Sequence, residues 1–181
     1  MESHRFDAAV YARRLAAAGA AAGDAGLAGL VITPGYDLRY LVGSRAQTLE
    51  RFTALVLPAS GDPTVVVPRL ELASLKGSAI AELGLAVRDW VDGDNPYDLV
   101  AAALGCAPAA TAVTDSMPAL HLLPLAGVLG VLPVLATDVL RTLRMVKEEC
   151  EVDALREAGA AIDRVHARVP EFLVPGRTEI G

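Results

Sequence analysis

Short apolar runs alternate along this chain with stretches of helical character, and that order leaves few architectures open. Residues 5–22 read as a helix: Phe6, Val10 and Ala17 lie on its apolar side, Arg13 and Arg14 face elsewhere, and Gly23 and Gly26 end it. A buried strand over 27–32 stops at Thr33-Pro34-Gly35, and a short helix or turn over 36–41 precedes Gly43. Runs 52–57 and 64–67 flank Pro58-Ala59-Ser60-Gly61-Asp62-Pro63 and read as a strand hairpin. A short helix over 70–75 and a strand over 85–90 come next. Asn95 is placed to cap, and Pro96 to open, a helix that stops at Gly105. Then come a strand over 111–114, a helix capped by Ser116 that carries Leu120, Leu122 and Leu123, and a last strand over 130–134. A hairpin combined with helical crossovers predicts an α/β fold. Its sheet is mixed and mostly parallel, flanked by helices on both faces, and a long C-terminal helix follows it.

At 181 residues the chain suits one medium domain plus an extension. Aromatic residues make up only 4%, so the core must come from Leu, Val, Ile and Ala. The net charge of -6, with no basic stripe, gives no reason to expect a nucleic-acid partner. The longest apolar stretch, near 120–135, contains Pro124 and Pro133 and does not read as a membrane span. The N-terminus lacks the dense apolar core of a signal peptide. Cys106 and Cys150 do not make a disulfide scaffold, so a reducing compartment, the cytoplasm, is expected.

Tests for chemistry mostly return structural explanations. His4, His121 and His166 are far apart and outside HExxH spacing, and no Cys/His zinc motif occurs. Gly19, Gly23, Gly26 and Gly29 sit before the first strand, where helix termination and close packing explain them better than a dinucleotide fingerprint. No serine lies in a GxSxG elbow; Asp115-Ser116 is explained by a turn and a cap, and hydrolysis by Ser116 is the weakest enzymatic reading. Asp92 and Asp94 fit turn chemistry. No catalytic residue and no metal ligand is therefore assigned. The polar loop 43–51 is the remaining candidate, because Arg45 and Arg51 can engage carboxylates from between two buried elements.

The end of the chain has its own pattern. A long amphipathic segment runs over 137–172. Leu155, Ala158, Ile162, Val165, Val169 and Phe172 recur at spacings of three and four, predicting one continuous buried stripe. Glu148, Glu149, Glu151 and Asp153 favour a helix start near 147, Pro170 complicates the last turn, and Pro175-Gly176 terminates it. Such a stripe needs a partner surface. Either it folds back onto residues 1–136, making a complete small α/β binding or assembly module, or it meets a second domain.

Two segments then carry a resemblance. Tyr36-Asp37-Leu38-Arg39-Tyr40-Leu41-Val42-Gly43 is similar to an N-x-x-Y-L-x-G stretch, with Asp37 where Asn is usual. Arg144, Lys147, Glu151, Val152, Leu155, Arg156 and Ala158 match a domain-junction motif position by position, and Gly176-Arg177-Thr178-Glu179 resembles a later G-x-T-E. Together they resemble the amino-terminal half of the creatinase/prolidase/aminopeptidase P metallopeptidase family. The resemblance implies a creatinase N-terminal-like domain over 1–143. Over 144–181 it implies the junction and first helix of a truncated "pita-bread" catalytic domain. It implies a non-catalytic part of a metal-dependent Xaa-Pro dipeptidase or aminopeptidase-like hydrolase, shaping substrate access and oligomerisation. Two divalent metal ions are expected in the missing catalytic domain and none in this chain. The implied partners are that catalytic domain, a second copy in a homodimer, and a peptide or small amide substrate; neither nucleic acid nor membrane is implied. Arg45, Glu50 and Arg51 become the substrate-access or intersubunit candidates.

Overall fold

A computed structural model of the protein describes residues 6–47, 50–105 and 110–178. His4, Thr48, Leu49, Cys106 and Glu179, on which parts of the sequence reading fall, lie outside these. The chain divides into two units, residues 1–144 and 145–181.

The first unit contains helices α1 (Ala8–Asp24), α2 (Tyr36–Val42), α3 (Pro96–Leu104) and α4 (Ala119–Leu129), and most of α5 (Thr137–Met145). Its strands are β1 (Gly29–Ile32), β2 (Ala54–Pro58), β3 (Thr64–Pro68), β4 (Ala86–Trp90), β5 (Thr111–Val113) and β6 (Val134–Leu135). They form a six-stranded sheet in the order β4-β3-β2-β1-β5-β6. The strand β2 is antiparallel to β1 and β3, whereas β3–β4, β1–β5 and β5–β6 are parallel. The expected mixed, mostly parallel sheet is therefore present.

Side-chain alternation divides the core between the two sheet faces. Leu30, Ile32, Leu55, Leu57, Val65, Val67 and Ala112 pack with Leu15 and Ala18 of α1, Leu38 and Leu41 of α2, and Leu140 of α5. Their strand neighbours Val31, Ala54, Val56, Val66 and Val113 meet Val100 and Leu104 of α3 and Leu125 of α4 on the other face. At the centre, Val31 lies opposite Val56 on one side and Val113 on the other. Gly29 begins β1 where nothing larger fits. A Cβ there would stand 2.5 Å from the Leu57 carbonyl oxygen, 2.8 Å from Pro58 Cα and 2.9 Å from Leu104 Cδ2.

One charged group is buried in this unit's helical layer. Arg14 is only 3% exposed. Its guanidinium carbon lies 4.2 Å from the Tyr40 ring centroid, 5.1 Å from that of Phe6 and 5.7 Å from that of Tyr11. It also donates to the Tyr40 carbonyl at 3.0 Å. Sequence periodicity turned Arg14 away from the apolar side; the aromatic faces and a backbone acceptor instead make burial tolerable.

The two segments that carried the resemblance meet in this unit. Arg144 pairs with Asp37, and the Tyr40 hydroxyl donates to the Leu143 carbonyl at 3.3 Å. Asp37, standing where Asn is usual, thus places a carboxylate against the first residue of the junction motif.

Several boundaries correct the sequence reading. The helix α1 passes through Gly23, because Asp7 caps its start and the left-handed turn falls at Gly26. Ser116 does not cap α4; Pro118 stands at that position and supplies no side-chain acceptor. Strand pairing begins only at Val134, after Gly130 turns left-handed and Pro133 withholds an N–H.

The second unit is dominated by α6 (Glu149–Phe172). The segment 137–172 is therefore two helices, and α6 starts after Glu148, which shares a reciprocal capping box with Glu151. Pro170 is accommodated within the last turn. The predicted buried stripe is not buried: Leu155, Ile162, Val165 and Phe172 are 52–59% exposed. Among the described residues of its own unit, α6 has no second element to cover that face.

Candidate functional site

The ends of the parallel strands determine where a site can form. Ile32, Pro68, Trp90, Val113 and Leu135 end five strands at one edge of the sheet, and the antiparallel β2 begins there at Ala54. The carboxyl edge of such sheets is the usual ligand edge. The loop between α2 and β2 returns the chain to it.

Gly43 caps α2 in the left-handed conformation, φ 70°, with its N–H on the Arg39 carbonyl at 2.9 Å. Ser44 is then buried, and its hydroxyl accepts from the Ala46 N–H at 3.2 Å. That local turn leaves Arg45 exposed, and among the described residues Arg45 has no polar partner.

The far end of the loop is pinned twice to the end of β4. Arg51 Nε and Nη2 donate to Asp92 Oδ1 and Oδ2, both at 3.1 Å, in a two-point fork, and Arg51 Nη1 reaches Glu50 Oε1 at 3.3 Å. The Phe52 carbonyl accepts from Trp90 Nε1 at 3.0 Å. Beneath them, the Phe52 ring packs on Tyr97 and His121 with centroids 5.0 and 5.3 Å away, and the Tyr97 hydroxyl bonds His121 Nδ1 at 3.1 Å. Asn95 accepts from the Tyr97 N–H and places Tyr97 in the first turn of α3. Burial pushes the Tyr97 hydroxyl pKa upward.

The candidates therefore have different chemical situations. Arg51 and Glu50 are engaged in an ion-pair cluster, whereas Arg45 presents an uncommitted guanidinium. Asp94 accepts from the Val91 N–H at 2.9 Å, as its turn position suggested, but Asp92 is a partner that sequence reasoning missed. The separation of 41 positions between Arg51 and Asp92 leaves no local signal of that pair. The Tyr97–His121 bond was missed for the same reason.

Hydrogen bonding by Arg51, then its charge, holds the Asp92 carboxyl below the usual Asp range. The sign follows: a depressed folded pKa gives an anchor that is complete above about pH 4 and is lost as pH falls through the lowered value. We predict a carboxyl NMR titration of Asp92 with a midpoint below that of an ordinary Asp. The Arg51→Gln variant should return it to the ordinary range. Identical midpoints in the two proteins would show that the fork is absent in solution.

The other sequence candidates do not converge. Asp115 accepts from the Thr137 hydroxyl, and exposed Ser116 makes no hydrogen bond among the described residues. Buried His121 belongs to the aromatic cluster, and His166 lies exposed on α6. Cys150 is half-buried, with its sulfur 3.6 Å from a Glu148 carboxylate oxygen. Among the described residues, no group of three or more His, Cys, Asp or Glu is arranged to hold a metal ion. Among them too, no helix is long and apolar enough to cross a membrane.

Comparison with known proteins agrees with this geometry. Residues 14–146 match the Creatinase/Prolidase N-terminal domain model. The chain is 81% identical over 179 residues to the probable dipeptidase PepE of Mycobacterium tuberculosis, covering 99% of this chain and 48% of that relative. It superposes on the crystal structure of the dipeptidase PepE of Mycobacterium ulcerans with TM-score 0.91 and 82% identity, over 97% of this chain and 47% of that one. The prolidase of Thermococcus sibiricus gives TM-score 0.80 at 29% identity, again over 97% and 47% of the two chains. The chain thus spans about half the length of the curated mycobacterial relatives it matches.

Proposed function

Because the chain belongs to the creatinase/prolidase N-terminal domain family, we propose that it is the non-catalytic amino-terminal part of a longer metal-dependent peptidase. The parent enzyme cleaves dipeptides of the Xaa-Pro dipeptidase or aminopeptidase type. The observation that carries this reading is the match over 99% of this chain but 48% of a probable dipeptidase. In this reading residues 1–143 form the N-terminal domain, and 144–181 form the junction and first helix of the catalytic domain. The parent enzyme is a cytoplasmic homodimer.

Two divalent ions belong to this reading, and the described residues do not fit them: they bring no set of three acidic or imidazole donors together. The ligands are therefore assigned to the catalytic half. The contribution of this chain is to bind and orient. Arg51, held by Asp92 and Glu50, braces the loop. Arg45 is the group left to meet a substrate or partner carboxylate at the entrance.

The test compares the 181-residue chain with the same sequence continued through the catalytic half. The longer protein should bind divalent ions stoichiometrically and hydrolyse Xaa-Pro dipeptides; the shorter should do neither. Metal-dependent turnover by the shorter chain would sink the assignment. In the longer protein, Arg45→Ala should raise KM about tenfold with kcat nearly unchanged, the low end for losing a charge-assisted hydrogen bond. An unchanged KM removes Arg45 from recognition.

A further inference from the structure

We infer that Asp37 and Arg144 are positioning residues. With Tyr40 they clasp the end of α5 to α2, so that one short helix carries both the Arg45 loop and the point where the chain leaves the first unit. Their part in substrate entry rests on the peptidase reading above; the clasp itself does not.

Two ties make the clasp. Arg144 Nη1 donates to Asp37 Oδ1, and the Tyr40 hydroxyl donates to the Leu143 carbonyl at 3.3 Å. Asp37 and Tyr40 stand three apart on α2 and share a face. Leu143 and Arg144 are consecutive near the end of α5. Two contacts side by side fix the orientation of one helix on the other as well as their separation. Neither is a product of local sequence, since the partners are 107 and 103 positions apart.

Both sides of the clasp have something to hold. On α5, Leu140 is buried and Leu143 packs on the core, but Met145 and Val146 are 65% and 78% exposed. Packing therefore stops at the clasp, and the division between the two units falls directly after Arg144. On α2, Gly35 stands at the N-cap and supplies no side-chain acceptor. The carboxylate of Asp37 in the first turn suits the positive end of the helix and anchors it through Arg144. Tyr40 is braced from behind, with its ring on the Arg14 guanidinium and its carbonyl accepting from Arg14 Nη1. At the far end the Val42 carbonyl accepts from the Ala79 N–H at 2.8 Å, and Gly43 and buried Ser44 lead directly into Arg45. The seven residues of α2 are thus a stiff spacer between the clasp and the loop.

Such a pair is better suited to setting position than to adding stability. The Arg144 side chain is 43% exposed, and ion pairs open to solvent contribute little to folding. Losing the clasp should therefore leave the unit folded while freeing the end of α5 from the loop. A group in place for only part of the time weakens apparent affinity by that fraction. Since the clasp acts through Arg45, its loss cannot cost more than the loss of Arg45 itself.

The test uses both lengths of the protein. In the 181-residue chain, Asp37→Ala should speed hydrogen exchange of the amides over 142–145 about fivefold and leave those of β1 and β2 unchanged. In the chain continued through the catalytic half, Asp37→Ala should raise KM about fivefold with kcat nearly unchanged. Asp37→Asn keeps the oxygen that accepts from Arg144 and should restore KM to within about twofold of the parent. A merely structural role would instead lower the folded fraction, and with it kcat, at constant KM. Asp37→Ala combined with Arg45→Ala should raise KM no further than Arg45→Ala alone, whereas independent losses would multiply to about fiftyfold. Unchanged exchange over 142–145 overturns the inference, as does an unchanged KM or a multiplied one in an active longer protein; the peptidase reading survives each. A longer protein without turnover, beside faster exchange in the shorter chain, overturns the peptidase reading and supports the clasp.

Discussion

We expect Arg14→Ala to lower the stability of the first unit by about 3 kcal/mol. Three contributions lead there. A desolvated guanidinium over aromatic faces contributes about 2 kcal/mol, and its hydrogen bond to the Tyr40 carbonyl about 1 kcal/mol. The aliphatic stem also fills space that Ala leaves empty, in a side chain only 3% exposed. Against them stands the desolvation of a charge, which is relieved in the variant. Urea unfolding followed by circular dichroism measures the balance. Arg14→Met keeps the stem and loses the guanidinium, so its smaller loss separates packing from the aromatic contacts. If both variants unfold within about 0.5 kcal/mol of the parent, as ordinary surface substitutions do, the buried arginine is not a stabilising device.

The second large effect is expected from one methyl group. Gly29→Ala should cost about 3 kcal/mol, the upper part of the usual range for overpacking. The Leu104 methyl can rotate out of the way. The Leu57 carbonyl and Pro58 Cα cannot, since both belong to the paired strand and lie 2.5 and 2.8 Å from the new carbon. Relief requires β1 and β2 to separate at their shared end. Gly127→Ala is the contrast: nothing lies within 4 Å of its added carbon, so α4 should gain up to about 1 kcal/mol of helix propensity. A Gly29→Ala protein as stable as the parent would mean that β1 and β2 do not approach this closely in solution.

The sheet and its flanking helices were legible because alternation and punctuation agreed. Asn95-Pro96 specified the start of α3 correctly, and the apolar runs before Gly35 and Pro58 gave β1 and β2 to within two residues. The misses arose where a local rule had a competitor. Ser116 looked like a cap, but Pro118 fixes the first turn of α4 two residues later. The α6 stripe had helical spacing, and spacing states which residues share a face without stating what covers it. Arg14 was turned away from the apolar side because residue type stood in for environment. In the loop, the sequence singled out Arg45 and Arg51 alike. Only the fold separates them, by bringing Asp92 to one and leaving the other open.

The bond from Trp90 Nε1 to the Phe52 carbonyl has a practical consequence. Trp90 is the chain's one tryptophan, buried at the end of β4, and its indole touches the last turn of the candidate loop. The protein thus carries its own optical gauge at the Arg51–Phe52 end of that loop. A ligand or partner that draws the loop outward loosens this indole and shifts its emission to the red. One that settles the loop onto the sheet edge leaves the spectrum blue and narrows it. Displacement of the Arg51–Phe52 end of the loop can therefore be followed by intrinsic fluorescence, without a label and without waiting for turnover.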